Sequence, residues 1–286
     1  MPEGDTLYKT AARLRVMVGQ TVTRFESTVL EVEAVGRVIS AVEARGKNLL
    51  MWFDSTGEGP EGTHALYTHL RMEGSWHLMR PGSAWRKPSS RMRVLVETEQ
   101  WVAICFSAPV VEWLTAWEVS HHPVLAGLGP DLLSDEDPEA QISAILARMR
   151  VNPERPLGEA ILDQRLVAGL GNVYKSELLF LERLDPFKPV AAYDDEVLGK
   201  LLAAGRTWMR RNVMDGPRQT RWDMGRAKVF VYNRSGQLCP RCNTPIEMQR
   251  QGALGRSTYY CRQCQQVGAA GGSARRGRVM VRGPAQ

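Results

Sequence analysis

The sequence predicts an α+β protein: a β-rich N-terminal half, a helical second half and a small four-cysteine module near the end. Three observations carry this. Between Thr21 and about Phe106 the apolar residues come in short, alternating, β-branched runs, such as Val38-Ile39-Ser40-Ala41-Val42, Leu49-Leu50-Met51-Trp52-Phe53 and Val94-Leu95-Val96-Glu97. Many short strands with turn signals between them predict a sandwich or a barrel. Beyond Pro138 the spacing becomes helical, with Ile142, Ile145, Leu146 and Met149 on one face. Finally, Cys239-Pro-Arg-Cys242 and Cys261-Arg-Gln-Cys264 stand 18 residues apart. The 286 residues suffice for two domains and a small third element. The expected division is 1–118, a linker 119–130, 131–225, a cysteine module 226–266 and a tail 267–286.

Taken in order, Thr6–Val18 reads as the first helix. Leu7, Ala11, Leu14 and Val18 share a face, Asp5 is the expected N-cap and Gly19 the stop. This helix would fix where the chain start points. Breaks in the strand region fall at Ser55–Gly62 and Pro81–Ser90. Cys105 lies in an alternating apolar stretch and reads as an inert core residue. Glu118–Pro130 reads as the linker, and His121-His122-Pro123 within it as loop. Helical stretches are then expected at Pro156–Leu166, Val173–Leu184 and Asp194–Asn212. Ala168-Gly169-Leu170-Gly171 is a turn, with Asn172 the expected N-cap of the helix that follows. Free amides and the dipole at that helix end would make a phosphate site, and helix–Gly-rich turn–helix is a DNA-docking arrangement as well as an ordinary hairpin. The small, polar, basic stretch after Cys264 has little to bury and reads as disordered.

The cysteine spacing C-x₂-C-x₁₈-C-x₂-C falls in the window of a structural zinc site. Four thiolates fill a tetrahedral ion and leave no open position, so the expected cofactor is one structural Zn²⁺ and no catalytic metal. The net charge of +6 is uneven: residues 226–286 carry +10 and residues 1–225 carry −4. A basic terminal module on a mildly acidic body points to a polyanion, most simply nucleic acid. No run is long and apolar enough to span a membrane, and the N-terminus has no basic region followed by an apolar one, so an intracellular location, cytoplasm or nucleoid, is expected. The chain opens Met1-Pro2-Glu3. Once Met1 is removed, Pro2 carries a free secondary amine; α-amino groups titrate at roughly 7.7–8.0. Such an amine attacks an aldehyde-level carbon to give an iminium ion, an electron sink for later bond cleavage, and Glu3 places a carboxyl beside it.

Several segments, in this order, resemble the formamidopyrimidine-DNA glycosylase/endonuclease VIII family. They are Met1-Pro2-Glu3-Gly4-Asp5, Arg45-Gly46-Lys47-Asn48-Leu49-Leu50, His69-Leu70-Arg71-Met72-Glu73-Gly74, Leu128-Gly129-Pro130-Asp131-Leu132-Leu133, Gly169-Leu170-Gly171-Asn172-Val173-Tyr174 and the finger containing Gly255-Arg256-Ser257-Thr258. The resemblance runs from Pro2 to about Gln265. It implies an N-terminal β-sandwich flanked by helices, a helix–two-turn–helix domain, a β-hairpin zinc finger and a DNA cleft between the two main domains. It implies Pro2 as nucleophile at the deoxyribose C1′, Glu3 as the acid at the sugar ring oxygen and Lys47 as a second essential cation. Met72, with Arg71 and Glu73 beside it, is implied as the wedge filling the gap left by an extruded base. Asn172 and Arg256 are implied as phosphate clamps, and Cys239, Cys242, Cys261 and Cys264 as zinc ligands.

The expected function is a bifunctional DNA glycosylase/abasic-site lyase acting as a monomer on damaged duplex DNA. The opening Pro-Glu-Gly-Asp-Thr is similar to the endonuclease VIII branch, which favours oxidised pyrimidines, whereas His-Leu-Arg-Met-Glu-Gly is closer to the 8-oxoguanine branch. The other readings are a damaged-DNA-binding module without catalysis and a lyase acting only on preformed abasic sites.

Overall fold

The computed structural model describes residues 2–54, 62–214, 216–221 and 228–268. The Ser55–Gly62 break therefore lies almost wholly outside the described residues, and so do Met1 and the tail from residue 269. The chain begins with α1 (Gly4–Leu14), continued by one 3₁₀ turn to Met17. The helix starts earlier than its apolar periodicity predicts: Glu3 takes the cap position and Asp5 lies inside the first turn. Asp5 is not the cap because its carboxylate is claimed by Arg218 from far along the chain.

Eight antiparallel strands follow: β1 (Val22–Ser27), β2 (Val38–Arg45), β3 (Asn48–Asp54), β4 (His64–His69), β5 (Ser75–Met79), β6 (Met92–Thr98), β7 (Val102–Phe106) and β8 (Val110–Thr115). The strand region thus extends past Phe106 to Thr115. The strands form two four-stranded sheets, β1-β6-β7-β5 and β2-β3-β4-β8. Inward residues from both sheets, among them Met51, Phe53, Leu66, Val94, Val96 and Cys105, share one core with Leu7, Ala11 and Leu14 of α1. The architecture is a sandwich rather than a barrel, with α1 packed into it. Cys105 is fully buried, and burial pushes its thiol well above the ordinary range.

The expected linker is not extended. It holds α2 (Ala116–His121) and α3 (Pro123–Ala126). His121 ends one helix and His122 caps the next by accepting from the amides of Val124 and Leu125, so the His-His-Pro segment is a helix junction and not a loop.

The helical half comprises α4 (Pro138–Arg150), α5 (Leu157–Ala160), α6 (Asn172–Leu181) and α7 (Asp195–Val213). The helix expected over Pro156–Leu166 shrinks to the single turn of α5, and α6 ends three residues before Leu184. Asp194 caps α7 by accepting from Val197 N. Leu132, Ile145, Tyr174, Leu178, Leu198 and Leu202 build this second core. Tyr8 packs on both cores and so joins the two halves. The C-terminal module is the hairpin β9 (Glu247–Gln251) and β10 (Arg256–Tyr260), followed by α8 (Arg262–Gln265). Among the described residues no helix is long and apolar enough to cross a membrane.

Candidate active site and nucleic-acid interface

The chain start is buried at the junction of the two halves. Glu3 has no solvent exposure. Its carboxylate accepts from the backbone amides of Val173 (2.8 Å), Gly171 (3.2 Å) and Tyr174 (3.3 Å), the N-terminal amides of α6. The sequence left those amides free for a phosphate; the protein's own Glu3 takes them instead. Asn172 is accordingly not the N-cap. Gly171 holds that position with no side-chain cap, and Asn172 is the first helical residue. Gly171 must be glycine here, because a Cβ would lie 2.6 Å from Glu3 Cγ. A further backbone bond, from Gly4 N to Gly169 O at 2.9 Å, stitches the chain start to the turn before α6.

Pro2, bonded to Glu3, is half-buried. Around it the charges come from separate elements. Lys47 sits in the turn between β2 and β3. That turn is seated on the second half, with Gly46 N donating to Asp131 Oδ2 at 2.6 Å. Asp131 also accepts from Tyr8 Oη and Leu133 N, and burial pushes its carboxyl above the ordinary range. Burial pushes the Lys47 ammonium down to about 8; the charge of Glu3 opposes that shift, while those of Arg256 and Arg218 add to it.

Arg218, from the segment after α7, donates to Asp5 through Nε (2.7 Å) and Nη2, and to Thr6 Oγ1 (2.8 Å). Its Nη1 lies 4.0 Å from Glu3 Oε1. Tyr174 Oη donates to the same Asp5 carboxylate at 3.1 Å. Burial works against the Arg218 cation, but its bonds to Asp5 and the charges of Glu3 and Asp5 outweigh it and hold it above its ordinary value.

Arg71, Met72 and Glu73 form the turn between β4 and β5, and all three are exposed. Met72 is 64 % exposed, and Arg71 holds φ at +45°. This turn neighbours Lys47 because β4 pairs with β3 and sets His69 opposite Asn48. Burial, then the charges of Lys47 and Arg71, lower the His69 imidazole below its usual range.

Asn172 and Arg256 meet where α6 faces the finger. Asn172 Nδ2 lies 3.4 Å from Ser257 Oγ, and its Oδ1 is buried with no hydrogen-bond partner. Arg256, the residue before Ser257, is exposed. Two residues that the sequence reading missed set this junction. Lys175, fully buried on α6, donates to Thr258 Oγ1 (2.7 Å) and Ser257 O (3.1 Å), and burial brings its ammonium down to about 7. Glu177, equally buried, accepts from the amides of Phe230, Val231 and Tyr232, each at 2.8 Å, and from the Thr220 hydroxyl. One signal was present. Residues two apart on a helix point to nearly opposite sides, so Lys175 and Glu177 cannot both face water on a helix packed between a core and a finger.

The four cysteine sulfurs lie within 4.8 Å of one another, with Cys242–Cys261 at 3.4 Å and Cys239–Cys264 at 3.8 Å. A tetrahedral zinc with bonds of about 2.3 Å needs sulfurs about 3.8 Å apart, so the donor set fits one Zn²⁺. The ion would tie the loop at Cys239 to the end of β10, and four sulfurs would leave it no open position.

Three family models match consecutive stretches: the formamidopyrimidine-DNA glycosylase N-terminal domain over residues 1–109, the H2TH domain of the same enzymes over 128–221, and the zinc finger found in FPG and IleRS over 236–267. The chain is 36 % identical to a probable endonuclease 8 2 of Streptomyces coelicolor, covering 93 % of this chain and 94 % of that one. It is 35 % identical to the DNA-(apurinic or apyrimidinic site) lyase Nei2 of Mycolicibacterium smegmatis, covering 93 % and 99 %. Among solved structures, the MutM (Fpg) protein of Thermus thermophilus superposes with a TM-score of 0.73 at 28 % identity, covering 94 % of this chain and all of that one.

Proposed function

The chain belongs to the formamidopyrimidine-DNA glycosylase/endonuclease VIII family of DNA-repair glycosylases with abasic-site lyase activity, and from that premise we propose that Pro2, freed of Met1, is its nucleophile. The single observation that carries this reading is the burial of Glu3 in the amides of α6. It fixes the residue bonded to Pro2 at the junction of the two halves, where Lys47 and Arg218 converge.

The lone pair of the Pro2 nitrogen attacks C1′ of an extruded nucleotide. The N–C1′ bond forms, the bond from C1′ to the base breaks, and the base leaves with a proton. The C1′–O4′ bond then opens, O4′ takes a proton, and an iminium remains on C1′. The iminium acidifies C2′–H; loss of that proton with cleavage of the C3′–O bond cuts the strand on the 3′ side. A carboxylate offers about four acceptor sites. Three on Glu3 are occupied by amides, which leaves one to carry the proton exchanged at the sugar. Lys47 is a cation of lowered pKa beside the scissile nucleotide. Met72 enters the stack in place of the extruded base, with Arg71 and Glu73 flanking it. Asn172 Oδ1 is already buried without a partner, so Nδ2 is the end that meets a phosphate, with Arg256 beside it.

The substrate is damaged duplex DNA with oxidised pyrimidines favoured, as the Pro-Glu-Gly-Asp-Thr start suggests. A second reading, a lyase without base release, draws on the name of the Mycolicibacterium smegmatis relative.

Borohydride trapping on two duplexes tests both. One duplex carries thymine glycol and the other a preformed abasic site. We expect a covalent adduct on each, carried by Pro2 when the trapped protein is digested and mapped by mass spectrometry. Trapping on the abasic duplex alone would favour the lyase reading. An adduct mapped to another residue would remove Pro2 as the nucleophile, and no trapping despite Met1 removal and DNA binding would leave a binding module.

A further inference from the structure

Two carboxylates flank the reactive end, one on Glu3 and one on Asp5, and neither is open to solvent. In a buried site they would hold a neighbouring ammonium in its charged form, and a charged ammonium has no lone pair to attack with. Asp5 needs no such placement to cap α1, since Glu3 occupies the cap. What Asp5 does is bind Arg218, through both Nε and Nη2. Arg218 reaches Thr6 as well, faces Glu3 at 4.0 Å and lies 5.2 Å from the Tyr174 ring centroid. Its side chain is 14 % exposed. One guanidinium from the segment after α7 therefore pairs with Asp5 and faces Glu3 at the start of the chain.

We propose that Arg218 is the positioning residue that keeps the Pro2 amine reactive at neutral pH, by pairing with Asp5 and facing Glu3 so that the flanking carboxylates do not hold that amine protonated. The proposal rests on Pro2 being the nucleophile. Among the described residues, Lys47 from the β2–β3 turn and Arg256 from the finger also bear on this corner, both positive, while Arg218 is bonded to Asp5 and faces Glu3. The step concerned is a pre-equilibrium in which the Pro2 ammonium gives its proton to water and frees the lone pair.

The sign is fixed by charge. A cation beside an ammonium favours its deprotonation, so removing Arg218 moves the amine midpoint up. Removing a neighbouring charge is expected to move such a midpoint by about one pH unit. One unit is about a tenfold loss of free amine at a pH below the midpoint.

The experiment is single-turnover borohydride trapping of the full, zinc-loaded chain on a duplex with a preformed abasic site, run across pH. Arg218→Gln should shift the rising limb about one pH unit to the alkaline side and cost about tenfold at neutral pH, a loss that shrinks as pH rises toward the falling limb. Asp5→Asn should shift it the other way. The paired change Asp5→Asn with Arg218→Gln removes one charge of each sign and should return the limb toward wild type. Arg218→Gln leaves Asp5 buried and unbalanced; should that variant fail to fold, the Asp5→Asn and paired variants still decide the matter. Equal rate losses at every pH in these variants, or a limb that does not move, would overturn the proposal. Mapping the trapped adduct separates the two readings. If the adduct is not on Pro2, the nucleophile assignment has failed; if it is on Pro2 while the limb stays fixed, only the role of Arg218 has.

Discussion

Glu3 and Glu177 are both carboxylates without solvent exposure, each held by backbone amides, yet they sit in regions with different tasks. Glu3 takes three amides from the start of α6 and joins the N-terminal end to the helical half. Glu177 lies on the flank of the same helix and takes three amides of residues 230–232 and the Thr220 hydroxyl, joining the finger to that half. With four donors on about four acceptor sites, Glu177 is saturated. Glu3 has a site to spare and an arginine facing it. Burial and partner type look the same; what differs is the cation from beyond α7 that faces Glu3.

The most severe way to break the comparison is Glu177→Ala. It strands four donors, two of them in buried bonds, and the expected cost is about 3–5 kcal/mol, measured by denaturant unfolding with zinc release followed in parallel. A cost below about 1 kcal/mol would mean Glu177 is no anchor. Next is Gly171→Ala, whose Cβ collides with Glu3. It should lower trapping on abasic DNA by about a hundredfold while zinc content stays at one per chain. Equal trapping would detach Glu3 from the chemistry. A smaller effect is expected from Lys47. Its ammonium is lowered to about 8 by burial, so its charge is lost as pH rises through that value, and the falling limb of activity should begin there. Lys47→Arg keeps the charge and should carry that limb upward; an unmoved limb would assign it to another group. Least is Arg256→Ala, an exposed cation at one proposed phosphate. It should reduce the salt slope of DNA binding by about 0.9 and leave stability within about 0.5 kcal/mol.

Legibility in the sequence followed distance along the chain. The zinc ligands are two close pairs whose spacing is itself the signal, and the strands are marked by local alternation. The Asn172 and Asp5 caps misled because local preference yields to long-range partners. Glu3 arrives from 170 residues away to take the amides of α6, and Arg218 comes from 213 residues away to bind Asp5. Lys175 and Glu177 were hidden for the same reason, since their partners lie on β10 and around Phe230. The candidate site residues were found mostly through the family pattern; their supports, set by tertiary contacts, had no local pattern to betray them.

The turn that carries Met72 is closed at its base. Gly74 N donates to Leu70 O at 2.9 Å, Leu70 is buried, and a Cβ on Gly74 would come within 2.8 Å of Leu70 Cα. Positions 70 and 74 are thus locked to the frame while the three residues between them face outward. Substitutions at those three should therefore leave both sheets undisturbed, so the turn offers three outward positions on a fixed base.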